Sequence, residues 1–353
     1  MAARIAVLRL GAVGDVVRTL PAARRIRAAY PEAHLAWLVE PAASGFLRAQ
    51  GWIDEVIVFQ RDSLATDLRS LNWVAFAREA ARFVRELRDH RFDLVVDFHS
   101  IGRSGLLSFA TGAGTRVAYG PPFGREFSYW CATARASLPR TKMSRFDRNA
   151  ALADFLAIGP ARSELPVEVR ASSRFDRPPV ALHPGTSAGA PHKRYPVASF
   201  GEVAREILAE TGTRSIVTWG PGRDDRRLAS EVVAASSGAA DLAPPTPGLE
   251  DLAGLLSGCR LLIAGDSGPL HVASMVGTPV VQILGPTDPI ENAPFAGTPS
   301  RVVTQSLGCS PCRRGCSAAT CMRAIPTRQV LAAVFELLGV HSETAPVEVA
   351  GVF

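Results

Sequence analysis

The residues of this sequence that could do chemistry are concentrated in three loops, each of which follows an apolar run. The first loop, Gly11-Ala-Val-Gly14-Asp15, has glycines that let the backbone approach a ligand and a carboxylate near the start of a helix. A carboxylate in such a place could serve as a general base. It could also serve only as a helix cap. Both interpretations of Asp15 fit the loop.

The second loop, residues 265–271 (Gly-Asp-Ser-Gly-Pro-Leu-His), has the features of an anion site. Its proline suits the first turn of a helix, and Ser267 and Gly268 would expose backbone amides at the positive end of the helix dipole. A diphosphate group would fit there. The alternative is that Asp266 caps the helix and His271 packs inside the protein.

The third loop combines small hydroxyl side chains with a basic cluster. Gly185-Thr186-Ser187 follows a predicted strand, and His192-Lys193-Arg194 precedes a predicted helix. Lys193 could neutralise a phosphate as a point charge. A charged run is also typical of an ordinary solvated surface, which is the alternative for this cluster.

The elements that must position these loops alternate between strand and helix, and the alternation occurs twice along the chain. In the first half, strands are predicted at 4–10, 34–39, 56–59 and 94–98, and helices at 21–29 and 76–87. In the second half, strands are predicted at 180–183, 215–219, 261–264 and 279–284, and helices at 197–211, 252–256 and 327–338. This alternation is typical of a doubly wound parallel α/β sheet, in which ligands bind beyond the carboxyl ends of the strands. We therefore predict two Rossmann-like domains, at 1–165 and 176–338, and a tail at 339–353.

Length and composition agree with two globular domains and disfavour several protein classes. The 353 residues exceed what one hydrophobic core usually organises, and 47% hydrophobic with 20% charged residues is typical of a packed globule. No apolar run reaches the roughly 18 residues needed to cross a bilayer, so a cytoplasmic protein is predicted. The net charge of +6 suits an anionic ligand or an anionic membrane surface, although it could serve solubility alone.

The dinucleotide fingerprint is absent because no third glycine follows Gly11 and Gly14 at the required spacing, which disfavours a dehydrogenase.

A cysteine cluster lies near the end of the second half, at Cys309, Cys312, Cys316 and Cys321. Four thiolates can hold zinc tetrahedrally, so a structural zinc site is one interpretation. Free thiols or partly paired disulfides are the interpretation that we favour, because a cytosolic setting disfavours stable disulfides but does not by itself supply a metal. The intervals are also tighter than in common zinc knuckles.

Several segments, taken together and in order, span nearly the whole chain. They are 8–16 with 19–21, 97–105 (Asp-Phe-His-Ser-Ile-Gly-Arg-Ser-Gly), 145–149 (Arg-Phe-Asp-Arg-Asn), 183–187 with 193–196 (Lys-Arg-Tyr-Pro), and 265–274 with 277–279 and 285–289. Together these segments resemble glycosyltransferase family 9, the ADP-heptose:lipopolysaccharide heptosyltransferases.

The resemblance implies a GT-B fold, in which two Rossmann-like domains face each other across a cleft. It implies an acceptor on the N-terminal domain, a nucleotide sugar on the C-terminal domain, and inverting transfer of heptose from ADP-heptose to a sugar hydroxyl of the lipopolysaccharide inner core. In the family pattern the aspartate of the first loop is the general base, here Asp15. Lys193 would stabilise the departing ADP. The chain has no Asp-x-Asp pair of the kind that holds a metal against a sugar diphosphate, so no cofactor is expected.

The resemblance also implies the other residues of the site. The donor is expected to contact Gly14, Thr186, Ser187, Asp224, Asp266, Ser267, Gly268 and His271. The acceptor is expected to contact His99 and Arg103. Arg103 could bind a phosphate or a Kdo carboxylate bidentately, or it could form an ordinary ion pair.

The partners implied are a nucleotide sugar and a lipid-anchored lipopolysaccharide core acceptor, with no nucleic acid. Such an acceptor places the expected enzyme on the cytoplasmic side of the inner membrane, in peripheral contact with it. The alternatives are a family 9 transferase that uses another nucleotide sugar, and a non-catalytic protein that binds sugar nucleotides.

Overall fold

The computed structural model describes residues 3–159, 167–169, 175–187, 189–222, 224–305, 307–312 and 315–340. Within it the chain divides into two compact units, Met1–Pro166 and Val167–Phe353. The predicted domain limits at 165 and 176 stay predictions, since 160–166 and 170–174 lie outside the described residues. Residues 341–353 of the predicted tail also lie outside them.

The first unit contains a parallel sheet whose described strands are β1 (Arg4–Leu8), β2 (His34–Val39), β3 (Glu55–Val58), β4 (Leu94–Asp97), β5 (Thr115–Tyr119) and β6 (Ala134–Ala136). Their order across the sheet is β3-β2-β1-β4-β5-β6. The helices between them are α1 (Val13–Ala29), α2 (Ser44–Arg48), α3 (Arg61–Arg69), α4 (Trp73–Asp89), α5 (Gly102–Ala110) and α6 (Arg145–Phe155). The central strand β1 is wholly apolar after Arg4 and buried there, as expected for a strand covered by helices on both faces.

The second unit repeats this architecture. Its described strands are β7 (Val180–His183), β8 (Ser215–Val217), β9 (Ala240–Leu242), β10 (Leu261–Gly265), β11 (Val280–Leu284) and β12 (Ser300–Thr304). They form a parallel sheet in the order β12-β11-β10-β7-β8-β9. The helices are α7 (Val197–Thr211), α8 (Asp225–Ala235), α9 (Leu249–Ser257), α10 (Gly268–Met275), α11 (Thr320–Arg323) and α12 (Thr327–Leu338).

Both sheets have the strand order of a Rossmann fold. If the strands of each unit are counted from its own first strand, the order is 3-2-1-4-5-6 in both sheets. The direction in which successive strands are added therefore reverses between β1 and β4 in the first unit and between β7 and β10 in the second. The predicted α/β class with two doubly wound parallel sheets is confirmed.

The sequence predicted strongly periodic elements well and short ones poorly. The strands β2 and β7 and the helices α7 and α12 have the predicted bounds. The strands β6 and β9 were missed because three residues are too few to show a periodicity. The prediction of a helix at 21–29 was wrong about its start. The helix α1 begins at Val13, and Pro21, which would ordinarily open a helix, lies inside it.

Candidate active site

The loop between β1 and α1 lies at the reversal point of the first sheet and ends in the first turn of α1. The backbone N–H of Asp15 donates to the carbonyl of Ala12 at 2.9 Å, which closes that turn. A carboxylate in the first turn of a helix is stabilised by the helix dipole. Gly14 is buried in the same turn.

Three arginines surround the carboxylate of Asp15. Its Oδ2 lies 2.5 Å from Nη2 of Arg9, and its Oδ1 lies 2.6 Å from Nη1 of Arg145 and 3.6 Å from Nη2 of Arg18. The side chain of Asp15 is only 16% exposed. Burial by itself would raise the pKa of this carboxyl, but the charges of Arg9, Arg18 and Arg145 hold the pKa well below its usual range. Asp15 is therefore an anion throughout the neutral range.

The arginines come from separate elements. Arg9 directly follows β1, Arg18 lies one helical turn after Asp15 in α1, and Arg145 opens α6. A fourth arginine, Arg148, lies near this group. Its own burial lowers its pKa most, and the charges of Arg145 and Arg9 lower the pKa further. In the sequence, Arg9, Arg145 and Arg148 stood out only as parts of longer motifs, and Arg18 was missed.

The predicted acceptor residues lie in the loop after β4 and in the first turn of α5, and Asp97 shapes this stretch. The carboxylate of Asp97 accepts hydrogen bonds from the backbone N–H of His99 and of Ser100, each at 2.9 Å, and from the hydroxyl of Ser104 at 2.7 Å. Burial raises the pKa of Asp97 to about 6. This loop lies at the same reversal point as the loop of Asp15, because β4 neighbours β1.

The two predicted acceptor residues differ in charge. Burial, followed by the charge of Arg9, lowers the pKa of His99 to about 3, so its ring is neutral at neutral pH and offers one donor and one acceptor nitrogen. The Nη2 of Arg103 lies 3.2 Å from Oε1 of Glu40, so this side chain is engaged in an ion pair. Glu40 directly follows β2 and was not predicted as a site residue. Its position after a strand that neighbours β1 could have indicated it, because ligands bind beyond the carboxyl ends of such strands.

In the second unit, the loops after β7 and β10 bring Lys193 and Asp266 together. The Lys193 Nζ lies 2.8 Å from Oδ2 of Asp266, which is only 7% exposed. The other oxygen of Asp266 lies 3.7 Å from Nε2 of His271, a fully buried side chain. Lys193 itself is 24% exposed, so its ammonium group can contact a ligand while it stays paired with Asp266.

The amino end of α10 begins beside this pair. Ser267 is the residue before the helix, and Gly268 and Pro269 open it. The Oγ of Ser267 is buried and has no hydrogen-bond partner within the described part of the chain. A buried hydroxyl at a helix start, next to a lysine, forms a place where an anion can be bound.

The hydroxyl of Thr186 holds the loop after β7 in shape. It donates to the carbonyl of Ala190 at 3.0 Å and accepts from Nε of Arg194 at 3.2 Å. Ser187 is exposed next to it. The structure thus places Thr186 and Ser187 in the loop that leads to Lys193, and their donor contacts stay predictions.

The two aspartates at the start of α8 have different surroundings. Asp224, the predicted donor residue, is 61% exposed and lies 3.5 Å from Nη2 of Arg227. Asp225 instead accepts from the backbone N–H of Gly222 at 3.1 Å. A Cβ at Gly222 would lie 2.7 Å from Oδ2 of Asp225, so the glycine is needed for this close approach. The role of Asp224 stays a prediction, and Asp225 was missed because adjacent residues of one type cannot be told apart by sequence alone.

The cysteine cluster does not form a metal site in the described residues. No group of three or more His, Cys, Asp or Glu side chains suited to a metal ion is found among them. Cys321 is buried in the core of the second unit, where a Cβ at Gly285 would lie 2.8 Å from its Sγ. Cys309, Cys312 and Cys316 have free thiols, as does Cys321. The zinc interpretation is therefore unsupported.

No described helix is both long enough and apolar enough to cross a membrane.

Comparisons with known proteins find relatives for most of the chain. Residues 80–322 match the family described as glycosyltransferase family 9 (heptosyltransferase). The chain is 22% identical to the lipopolysaccharide core heptosyltransferase OpsX of Haemophilus influenzae, over 82% of this chain and 81% of that protein. It is 27% identical to the lipopolysaccharide heptosyltransferase 1 of Pseudomonas aeruginosa, over 88% of this chain and 86% of that protein.

A solved structure shows the same fold. The heptosyltransferase WaaC of E. coli, solved with ADP, is similar with a TM-score of 0.73 at 16% identity, covering 95% of this chain and 99% of that one. The family match includes the loops of His99, Lys193 and Asp266, whereas Asp15 precedes its first residue.

The buried histidine at the end of β7 gives a prediction on pH dependence. The Nδ1 of His183 lies 3.0 Å from the hydroxyl of Thr218, and burial lowers the pKa of His183 to about 4. Between pH 6.5 and pH 4 the unfolded chain takes up a proton that the folded chain refuses, so this contribution to stability is present at neutral pH and lost on acidification. We expect the free energy of unfolding to fall by roughly 2 kcal/mol more between pH 7 and pH 5 in the wild type than in His183→Gln.

Chemical denaturation at a series of pH values measures this difference. All other titrating groups are common to the two proteins, so the difference in slope isolates His183. Equal slopes in the wild type and the variant would show that the folded protein already accommodates the imidazolium.

Proposed function

Because the chain belongs to glycosyltransferase family 9, the heptosyltransferase family, we propose that it transfers heptose from ADP-heptose to a sugar hydroxyl of the lipopolysaccharide inner core, with inversion at the anomeric carbon. The curated relatives from H. influenzae and P. aeruginosa carry names for this activity, and the WaaC structure was solved with ADP. The observation that carries the proposal is the pair of carboxylates, Asp15 and Asp266, each beside the reversal point of its own sheet with cations around it.

The second unit is the proposed donor site. The diphosphate of ADP-heptose would lie at the amino end of α10, against the backbone of Ser267 and Gly268. Lys193 would neutralise it from the side, and Asp266 holds that ammonium group in place. His271 supports Asp266 from the buried side. The negative charge that develops on the departing ADP would meet groups that are already oriented, which is the main source of electrostatic catalysis.

The first unit is the proposed acceptor site, with Asp15 as the general base. In the transfer step the acceptor oxygen forms a bond to the anomeric carbon while the bond from that carbon to the phosphate oxygen breaks. The hydroxyl proton goes to a carboxylate oxygen of Asp15, and ADP leaves with the electron pair. A single displacement of this kind inverts the configuration, as in inverting glycosidases.

The arginines around Asp15 set the conditions for this proton transfer. They keep Asp15 ionised, which a base requires, but they also lower its affinity for a proton. Arg145 is the most exposed of the three contacting arginines, at 31%. A phosphate or carboxylate of the acceptor would compete with Asp15 for this guanidinium. We therefore propose that binding of an anionic acceptor makes Asp15 a stronger base.

The acceptor is proposed to be anchored in a lipid bilayer, which places the enzyme at the cytoplasmic surface of the inner membrane. Arg103 and the neutral ring of His99 are the proposed acceptor contacts. Arg103 already pairs with Glu40, so an acceptor anion would extend an existing ion pair.

A product analysis tests the function directly. The purified chain is incubated with a panel of nucleotide sugars and with truncated lipopolysaccharide, and products are identified by mass spectrometry. We expect a mass increase of one heptose with ADP-heptose alone. Transfer from a different nucleotide sugar would contradict the donor assignment, and binding of ADP-heptose without any product would contradict an enzymatic role.

Substitution of the proposed base gives a second prediction. In Asp15→Asn, kcat is expected to fall by roughly 10² to 10⁴ because the amide cannot accept the proton. Affinity for ADP, measured by calorimetry, should stay unchanged. Asp154→Asn is the matched control, since Asp154 also pairs with an arginine, Arg25, but on the exposed side of α6. A kcat of Asp15→Asn close to that of the control would rule Asp15 out as the base.

A third prediction concerns Lys193. In Lys193→Ala the affinity for ADP is expected to fall by about tenfold to a hundredfold, because a charge-assisted contact to the diphosphate is lost and Asp266 stays buried without it. Affinity for adenosine, which has no phosphate, should change much less. Lys142→Ala, an exposed lysine of the first unit, is the matched control. Equal losses for ADP and adenosine would indicate a general disturbance of the unit instead of a diphosphate contact.

A further inference from the structure

The first unit presents a group of large apolar side chains to solvent that the proposed reaction does not use. Leu106 and Phe109 of α5 are 65% and 58% exposed, and Phe127 and Trp130 are 62% and 67% exposed. We refer to these four residues as the aromatic face. A local concentration of exposed apolar side chains on a folded protein marks a contact surface.

Close packing joins the two segments of the aromatic face. A Cβ on Gly105 of α5 would lie 3.0 Å from both Cα and the carbonyl oxygen of Ser128, which is tighter than most Cβ contacts, so the segment and the helix pack closely at this glycine. On that segment the rings of Phe127 and Trp130 stack with centroids 4.7 Å apart. The apolar side chains therefore lie on one fixed support.

Arg116 links the far ends of the aromatic face. Its guanidinium lies 5.5 Å from the centre of the Phe109 ring, and its Nε donates to the carbonyl of Cys131 at 2.8 Å. One arginine thus contacts a ring of α5 and the residue that follows Trp130.

The backbone holds Phe127 outward in an unfavourable conformation. Glu126 and Phe127 have φ values of 53° and 59°, the left-handed region that side chains larger than glycine rarely occupy. Two hydrogen bonds to neighbouring residues hold this conformation in place. The N–H of Gly102 donates to Oε2 of Glu126 at 3.1 Å, and the N–H of Arg125 donates to the carbonyl of Ser100 at 2.9 Å. Strain that the surrounding structure maintains is typical of functional segments.

These bonds also connect the aromatic face to the proposed acceptor loop. Ser100 belongs to the loop between β4 and α5, which carries His99, and Gly102 opens α5 next to Arg103. A partner bound to the aromatic face is therefore held next to the acceptor contacts.

Positive charge surrounds the aromatic face. Arg125 and Arg135 are exposed, and Arg116 is partly exposed. The guanidinium of Arg135 lies 6.0 Å from the centre of the Tyr129 ring. Glu126 is the acidic side chain of this segment, and it is engaged at the start of α5. Aromatic rings combined with arginines suit the headgroup region of a bilayer that contains anionic lipid.

The small size of the aromatic face favours a bilayer over a protein partner. A stable protein interface takes about 20 to 30 residues from each side. Peripheral attachment to a bilayer needs only a few apolar side chains that reach the acyl boundary, together with basic residues for the anionic headgroups.

We propose that the aromatic face docks this chain on an anionic bilayer, with Leu106, Phe109, Phe127 and Trp130 inserted at the headgroup level and the neighbouring arginines on the lipid phosphates. The proposal rests on the proposed function in one respect, that the acceptor is lipid-anchored. Docking through this face presents the loop after β4 to the same membrane surface in which the acceptor lies.

The test compares vesicle binding of the wild type and of the double variant Phe127→Asn, Trp130→Ser. Asparagine tolerates the left-handed backbone at 127, and both side chains are exposed, so the variant should fold. Binding is measured by co-sedimentation with vesicles of phosphatidylcholine plus phosphatidylglycerol and with vesicles of phosphatidylcholine alone. We expect the wild type to prefer the anionic vesicles and the variant to bind them at least about tenfold more weakly.

A matched control and an activity measurement complete the test. Trp73→Ser removes another exposed tryptophan of the first unit, 59% exposed at the start of α4, and should leave vesicle binding unchanged. In the double variant, turnover of a vesicle-embedded acceptor should fall, whereas turnover of a soluble acceptor without its lipid should not. Brominated lipid should quench the tryptophan fluorescence of the wild type. The quenching should be smaller in Trp130→Phe, because Trp130 is the tryptophan expected to reach the lipid.

Three results would overturn the proposal. They are failure of the wild type to bind anionic vesicles, equal vesicle binding by the wild type and the double variant, and a wild-type dimer that the double variant converts to a monomer. The last result would assign the aromatic face to a second copy of the chain. Vesicle binding is measured without donor or acceptor, so a chain that binds vesicles through this face but transfers no sugar would contradict the proposed function and leave the docking proposal standing.

Discussion

The order of strands in each sheet is the constraint on which the proposed chemistry depends. Strands are added in one direction from β1 to β3 and in the other from β4 to β6, and the second unit does the same from β7 and from β10. Because the crossovers on the two sides of this reversal diverge, the loops after the two central strands are left without a covering element between them. Asp15 and His99 lie in one such place, and Lys193 and Asp266 lie in the other.

Charge balance decides what each of these places can do. Asp15 and Asp266 are both largely buried, and burial alone would favour the protonated acid. The charges of three arginines reverse this preference for Asp15, and Asp266 lies 2.8 Å from the ammonium group of Lys193. A buried carboxylate in turn fixes its cations, because leaving either charge unpaired would be costly. In the proposed function, each site is therefore oriented in advance for an anionic ligand, which would exchange one ionic contact for another.

The loop after β4 connects the proposed acceptor contacts to the surface of the first unit. Asp97 fixes its backbone from inside, and Ser100 and Gly102 tie it to the segment that carries Phe127. The unfavourable backbone at Glu126 and Phe127 is maintained by those same bonds. A single network thus holds both a polar loop and an exposed apolar surface, which explains how a few residues can be presented rigidly without a covering element.

The sequence by itself determined the longer elements and the loops in which the proposed site residues lie. Hydrophobic periodicity predicted two doubly wound sheets, and loops directly after strands gave Asp15, Lys193 and Asp266, because both signals depend only on neighbouring residues. Only the tertiary structure decided which partners those residues meet. Arg145 reaches Asp15 from 130 positions away, and Asp225 rather than its neighbour Asp224 turns into the glycine loop. The pKa of Asp15 and the neutral state of His99 follow from burial and from such distant charges, which act through space and so leave no local pattern in the chain.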